Sequence, residues 1–258
     1  MKKCFTLIIF LVLPHAISAQ IPVFRWARAF TARNKHNPSV YSNGRSVAVD
    51  NQGNVYSAGL FYYTTDFDPG PGVFALTAVN WTNSAIYVSK LSAAGDLLWA
   101  IQIPTDVEFG NIELRVDHEN NVYVASQLRL PADFDPGPGE VVLSPIGAVD
   151  AFAAKYDPDG HLVWAKQFGG PGDVVSQSDV LDIDNQNNVI LCGSFNGTID
   201  FDPGPAQYNI TSTAATQSFV LKLNTAGDLI WASQFGNSAT YPGGAHIGDV
   251  KCDDQDDV

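Results

Sequence analysis

Three blocks of sequence return in the same order, and their common spacing constrains the fold more than any other feature of the chain. The first block is an aspartate, a polar turn and an apolar segment: Asp50-Asn-Gln-Gly-Asn-Val55, Asp117-His-Glu-Asn-Asn-Val122, Asp184-Asn-Gln-Asn-Asn-Val189 and Asp253-Asp-Gln-Asp-Asp-Val258. The second is DFDPGPG at Asp66 to Gly72 and Asp133 to Gly139, with the variant DFDPGPA at Asp200 to Ala206. The third is a lysine nine residues before a tryptophan: Lys90 and Trp99, Lys155 and Trp164, Lys222 and Trp231. Asp50, Asp117 and Asp184 are 67 residues apart, and so are Asp66, Asp133 and Asp200. A period of this size marks a repeat architecture, in which each unit buries its apolar faces only by stacking on its neighbours.

Within each unit apolar residues alternate with period two, and the breaks are filled by Gly, Asn, Asp and Pro, so every segment reads as a strand. Four strands are expected per unit, in the first roughly Arg45 to Val49, Val55 to Phe61, Ala85 to Leu91 and Leu97 to Ile103. No segment after residue 19 has helical periodicity. The fold class is therefore all-β, and four strands repeated in tandem at this length describe the blades of a β-propeller. Blade units are expected at about 45–103, 112–168 and 179–235, with a partial blade at 249–258. Residues 23–30, which match the sequence around Trp99, read as an orphan fourth strand that would close a ring. On this reading the propeller is incomplete at its C-terminus, an open arc whose unpaired strand edges promote association.

The run Phe219-Val-Leu-Lys-Leu-Asn-Thr-Ala-Gly-Asp-Leu-Ile-Trp231, together with the Asp-Asn-Gln-Asn-Asn-Val turn and the DFDPGP loop, resembles the SBBP-type β-propeller repeats of secreted Bacteroidetes proteins. The resemblance covers essentially all of the chain after residue 19. It implies a propeller and an extracellular or cell-surface location, and no single activity.

Residues 1–19 read as a signal peptide: Lys2 and Lys3, an apolar run from Phe5 to Leu13, and small residues before Gln20. That run is too short to span a bilayer, which takes about 20 apolar residues. Without Lys2 and Lys3, 12 basic side chains face 27 acidic ones, a formal charge of −15. This sign disfavours nucleic acid and anionic lipid as partners. Cys192 and Cys252 invite a disulfide reading in an exported chain. Their repeat positions argue against it, because Cys192 aligns with Ala58 and Ala125, and Cys252 with Val49, Val116 and Ile183, so both are expected to be free, buried thiols.

In the DFDPGP loops Asp66 and Asp68, Asp133 and Asp135, and Asp200 and Asp202 have two readings. They are rigid corners whose carboxylates accept backbone hydrogen bonds, the favoured reading, or they are calcium ligands. Two carboxylates are few for a calcium site, and the full Asp-x-Asp-x-Asp-Gly pattern is absent. Asp157-Pro-Asp-Gly160 aligns with Ser92-Ala-Ala-Gly95 and Asn224-Thr-Ala-Gly227 and reads as an ordinary tight turn. Trp26, Trp99, Trp164 and Trp231 share one repeat position, which suits blade-to-blade packing better than sugar binding. Asp50, Asp117, Asp184 and Asp253 are structural repeat positions. His36, His118, His161 and His246 fall at different repeat positions, and no nucleophile elbow or phosphate-binding glycine loop is present.

Successive connections of an up-and-down blade alternate between two faces. The short turns share one face, while the DFDPGP loops share the other with the blade-to-blade loops Thr31 to Gly44, Pro104 to Asn111, Gly169 to Ser178 and Gly236 to Gly248. Long, variable loops on a rigid scaffold are where binding resides. The expected function is a non-catalytic extracellular module that binds a glycan or protein through that face, without a cofactor. The rival is a carbohydrate-active or other hydrolytic enzyme using Asp and Glu near the central channel.

Overall fold

The computed structural model describes residues 26–32, 42–78, 84–105, 111–174, 180–236 and 250–252. After β1 (Thr31–Ala32), the first unit runs β2 (Asn43–Val49), β3 (Val55–Tyr62), β4 (Thr64–Asp66), β5 (Ala75–Thr77), β6 (Ser84–Leu91) and β7 (Leu97–Ile103). The second runs β8 (Glu113–Val116), β9 (Val122–Leu128), β10 (Ala132–Asp133), β11 (Val142–Leu143), β12 (Asp150–Tyr156) and β13 (Leu162–Phe168). The third runs β14 (Val180–Ile183), β15 (Val189–Phe195), β16 (Thr198–Asp200), β17 (Asn209–Thr211), β18 (Gln217–Leu223) and β19 (Leu229–Phe235). Each unit forms one four-stranded antiparallel sheet, in the orders β2-β3-β6-β7, β8-β9-β12-β13 and β14-β15-β18-β19. The protein is an all-β repeat of propeller-like blades.

Sequence reasoning did not separate the small ribbons β4-β5, β10-β11 and β16-β17, which flank the three DFDPGP loops. Their strands are two or three residues long, too short for alternation to register. Of the orphan closing strand expected over 23–30, residues 23–25 lie outside the described residues. Among the described residues, 26–30 have no ladder partner, and the strand that follows, β1, pairs with the ribbon strand β4 (Thr31 opposite Asp66). A segment becomes a strand only where a neighbour takes its backbone hydrogen bonds. Residues 1–25, most of the long blade-to-blade loops and the hexad from Asp253 to Val258 lie outside the described residues.

Blades pack face to face, and the alternation of each strand assigns its side chains to one interface or the other. Tyr56, Ala58, Leu60, Ile86, Val88, Ile101 and Ile103 of the first blade meet Leu114, Val122, Val124, Phe152 and Tyr156 of the second. Tyr123, Ala125 and Ala153 of the second meet Leu181, Leu191, Phe219 and Leu221 of the third. Leu114 and Leu181 are fully buried, whereas Val47, the same position in the first blade, is 66% exposed.

Ile190, Cys192 and Val220 of the third blade pack on Val250, with Cys252 at the margin. Both cysteines are free thiols. Cys192 is buried, but Cys252 is only half-buried, because it lies beside the innermost strand, where Val116 and Ile183 are also incompletely covered. In a chain starting at Gln20, mass spectrometry under non-reducing denaturation is expected to find two alkylatable thiols. A mass lower by two hydrogens without labelling would overturn this.

Candidate functional site

The DFDPGP corners are built alike. Asp66 Oδ1 accepts from Asp68 N (3.2 Å) and Phe74 N (2.9 Å), Asp133 Oδ1 from Asp135 N (3.0 Å) and Val141 N (2.9 Å), and Asp200 Oδ1 from Asp202 N (3.0 Å) and Tyr208 N (2.8 Å). The second carboxylate closes the tip, with Asp68, Asp135 and Asp202 Oδ1 each accepting a glycine N–H at 2.7 Å. Phe67, Phe134 and Phe201 point inward and are buried, each with its ring centroid 4.9 Å from Tyr87, Phe152 or Phe219. Each such burial contributes about 1.5–3 kcal/mol. Among the described residues, no three His, Cys, Asp or Glu side chains are grouped to hold one ion. Asp66→Asn is expected to cost about 1–3 kcal/mol, since one side of the carboxylate replaces an acceptor with a donor. Thermal melts with millimolar Ca²⁺ and with EDTA should coincide; a rise of many degrees with Ca²⁺, lost in the variant, would make the corner a calcium site.

The aspartates that open each unit are hubs. Asp50, Asp117 and Asp184 each accept two backbone amides through Oδ1 and a side-chain amide, from Asn54, Asn121 or Asn188, through Oδ2 at 2.8 Å. Tyr56 OH and Tyr123 OH add a bond at 3.1 Å in the first two blades. The third has Ile190 there, and Lys222 Nζ takes the place at 2.8 Å from Asp184 Oδ2. Lys155 stays 3.8 Å from Asp117, and Lys90 turns away to donate to Pro158 O at 3.0 Å. A register shift directly after each of these lysines sets it opposite its tryptophan: Lys90 and Trp99, Lys155 and Trp164, Lys222 and Trp231. The nine-residue spacing in the sequence is this cross-strand pair.

Burial pushes the Asp50 and Asp184 carboxyls up, but their hydrogen bonds more than offset it, with Lys222 foremost for Asp184, and both end below the ordinary value. Burial, reinforced by nearby carboxylates, raises the phenols of Tyr56, Tyr123 and Tyr156. The depressed carboxylates stabilise the fold fully above their unfolded value of about 3.9, and this is lost as pH falls through it toward the folded values. The raised phenols stabilise it below about pH 10 and lose that contribution above. Urea midpoints are therefore expected to be level from about pH 5 to 9 and to fall on both sides; a midpoint still rising above pH 10 would contradict this.

The tryptophans clasp one blade to the next. Trp26 Nε1 donates to Ala93 O (3.0 Å), Trp99 to Pro158 O (3.0 Å) and Trp164 to Thr225 O (3.1 Å). The accepting turns end in Gly95, Gly160 and Gly227, all with positive φ, where a Cβ would come within about 3 Å of the clasping indole or its neighbour. Trp231 packs beside Val250 and Cys252. In the Asp157 turn, Asp157 Oδ1 accepts Asp159 N and His161 N at 2.9 Å, which makes it an Asx turn.

On the innermost strands, Ser46 Oγ accepts Leu114 N at 3.1 Å, joining blades one and two. Arg115 contacts Glu113 at 3.2 Å and Asp182 at 3.7 Å, and Asp182 Oδ2 accepts Cys252 N at 3.0 Å. These carboxylates share one guanidinium, the arrangement of an ion-pair network between blades. His161 lies on the exposed Asp157 turn, His118 is exposed in the Asp117 turn, and His36 and His246 lie outside the described residues. Asp253 does so too.

No family model matches the chain. The chain is similar to an uncharacterized WD repeat-containing protein of Acanthamoeba polyphaga mimivirus, 25% identical over 231 residues that cover 76% of this chain. It spans only 16% of that protein's length. The likeness agrees with the blades in pointing to a propeller-like repeat protein.

Proposed function

We propose that the chain is a secreted or cell-surface scaffold that binds a glycan or protein partner without catalysis, through the face bearing the DFDPGP corners and the blade-to-blade loops. The observation that carries this reading is the use of the recurring residues. Asp50, Asp117 and Asp184 hold turns, the DFDPGP carboxylates hold corners and the tryptophans hold blades together, so the side chains that stand out in the sequence are engaged in architecture. The innermost carboxylates Glu113 and Asp182 are tied to Arg115, which argues against the rival hydrolase built on acids near a central channel. Export rests on the signal-like residues 1–19 and on the resemblance to SBBP-type repeats. A screen against polysaccharides, scoring retention and product release separately, is expected to give retention without release. Release abolished by a single Asp or Glu substitution would replace this reading with the enzyme.

A further inference from the structure

Among the described residues, the repeat symmetry breaks on the outer rim beside a cleft between the first two blades. Gln102, Gln167 and Gln234 each stand three residues after their blade tryptophan. In the second blade Gln167 Nε2 donates to Ser144 O at 2.7 Å and to the carboxylate of buried Asp150. The position of Asp150 is Ala85 in the first blade, which offers nothing in return. That removes an acceptor for Gln102 Nε2, and at the other end of the same amide Oε1 is enclosed without a hydrogen-bond partner. Such an acceptor is costly to leave unmet.

Gln102 lines a cavity of about 350 Å³ between the first blade's ribbon, its edge strand β7 and the second blade's corner. That is at the small end of the usual range of about 300–1,000 Å³ for small-molecule sites. Phe74 and Leu76 of β5, Ala100 and Ile101 of β7, and Pro104 form apolar walls, and Asp133 and Asp135 face them from the corner. The corresponding groove between the second and third blades is stitched by Gly169 O, which accepts Asp200 N at 2.9 Å. Pro104 holds the Gly169 position in the first blade, and no backbone bond from it to Asp133 is present among the described residues. In the third blade Tyr208, at the position of Phe74, ties the ribbon to the edge strand through Ala232 O at 3.3 Å. Phenylalanine cannot make that tie, and Phe74 is 41% exposed.

We infer that this cleft binds one unit of a neutral sugar chain, with the C–H face of the ring on Phe74 and its hydroxyls bonding to the Gln102 side-chain amide and donating to the carboxylates of Asp133 and Asp135. The lining has acceptors and apolar surface but no Lys, Arg or His, so it suits a ligand with an apolar face and a rim of hydroxyl donors and repels an anionic one. The inference rests on the scaffold reading above and narrows it to one ligand class and one groove.

Calorimetry on the whole chain, with neutral hexaoses of glucose, mannose, galactose and xylose and with a hexauronate, tests it. At least one neutral hexaose is expected to bind and the hexauronate not to. Phe74→Ala and Gln102→Leu should each weaken binding roughly tenfold, the effect of losing about 1.4 kcal/mol. Val141→Ala, at the place of Phe74 in the second blade, should leave it unchanged. No neutral hexaose bound, equal binding of the hexauronate, or undiminished binding by both folded cleft variants would overturn the site. In the last case the scaffold reading survives with its ligand elsewhere, whereas product release would overturn the scaffold reading and leave the cleft assignment standing.

Discussion

Asp184→Ala is expected to destabilise the protein by about 3–5 kcal/mol, the usual consequence of removing one partner of a buried ion pair. The Asp184 side chain is fully enclosed, and its loss takes away the carboxylate 2.8 Å from Lys222 Nζ, which is only 12% exposed. The amides of Gln186 and Asn188 and the Asn188 side chain lose their acceptor at the same time. Asp50→Ala should cost less, because Lys90 is already satisfied by Pro158 O and no ammonium is left unpaired. Urea denaturation of the two variants decides the matter. A loss below about 1 kcal/mol for Asp184→Ala, or equal losses at both sites, would mean that the hub does not depend on the lysine.

Trp164→Ala should rank next, at about 3 kcal/mol, the lower end for truncating a large aromatic because the side chain is half-buried. The indole fills the step between the second blade and the turn of the third, meets the Tyr123 ring edge-on at 6.0 Å and lies against Gly227. Trp164→Phe keeps most of the apolar contact and drops only the bond to Thr225 O, so it should cost closer to 1 kcal/mol. Two variants of equal cost would place the whole effect in the hydrogen bond.

The parts of the fold that repeat were legible, and the parts that depend on a partner strand or a single substitution were not. Alternation placed the four strands of the first blade within two residues, because turn residues mark their ends and the neighbouring blades repeat the pattern. The ribbons carry two or three residues a side and leave no periodic trace. The meeting of Asp184 with Lys222 was hidden although both blocks were visible, since it requires knowing that β15 and β18 are neighbours and that Lys222 stands opposite Ile190. The signal for it was present: Tyr56 and Tyr123 give way to Ile190 in the blade where the lysine closes in. The cleft was harder to see. Its trace in the sequence is Ala85 where the other blades carry Asp150 and Gln217, a departure that matters only once Gln167 is known to donate to Asp150.

The clasps also carry a direction. Trp99 reaches forward 59 residues to Pro158, and Trp164 forward 61 residues to Thr225. At ribosomal rates of about 5–20 residues per second, a finished first sheet waits roughly 3–12 s for the carbonyl that its indole needs. During synthesis the first and second blades each therefore spend that interval with the tryptophan unanswered, and the newest part of the chain is always the least complete. A translational pause placed within such a span would lengthen the exposure of one particular interface, so the timing of elongation, as well as the sequence, sets how often a nascent blade meets the wrong neighbour.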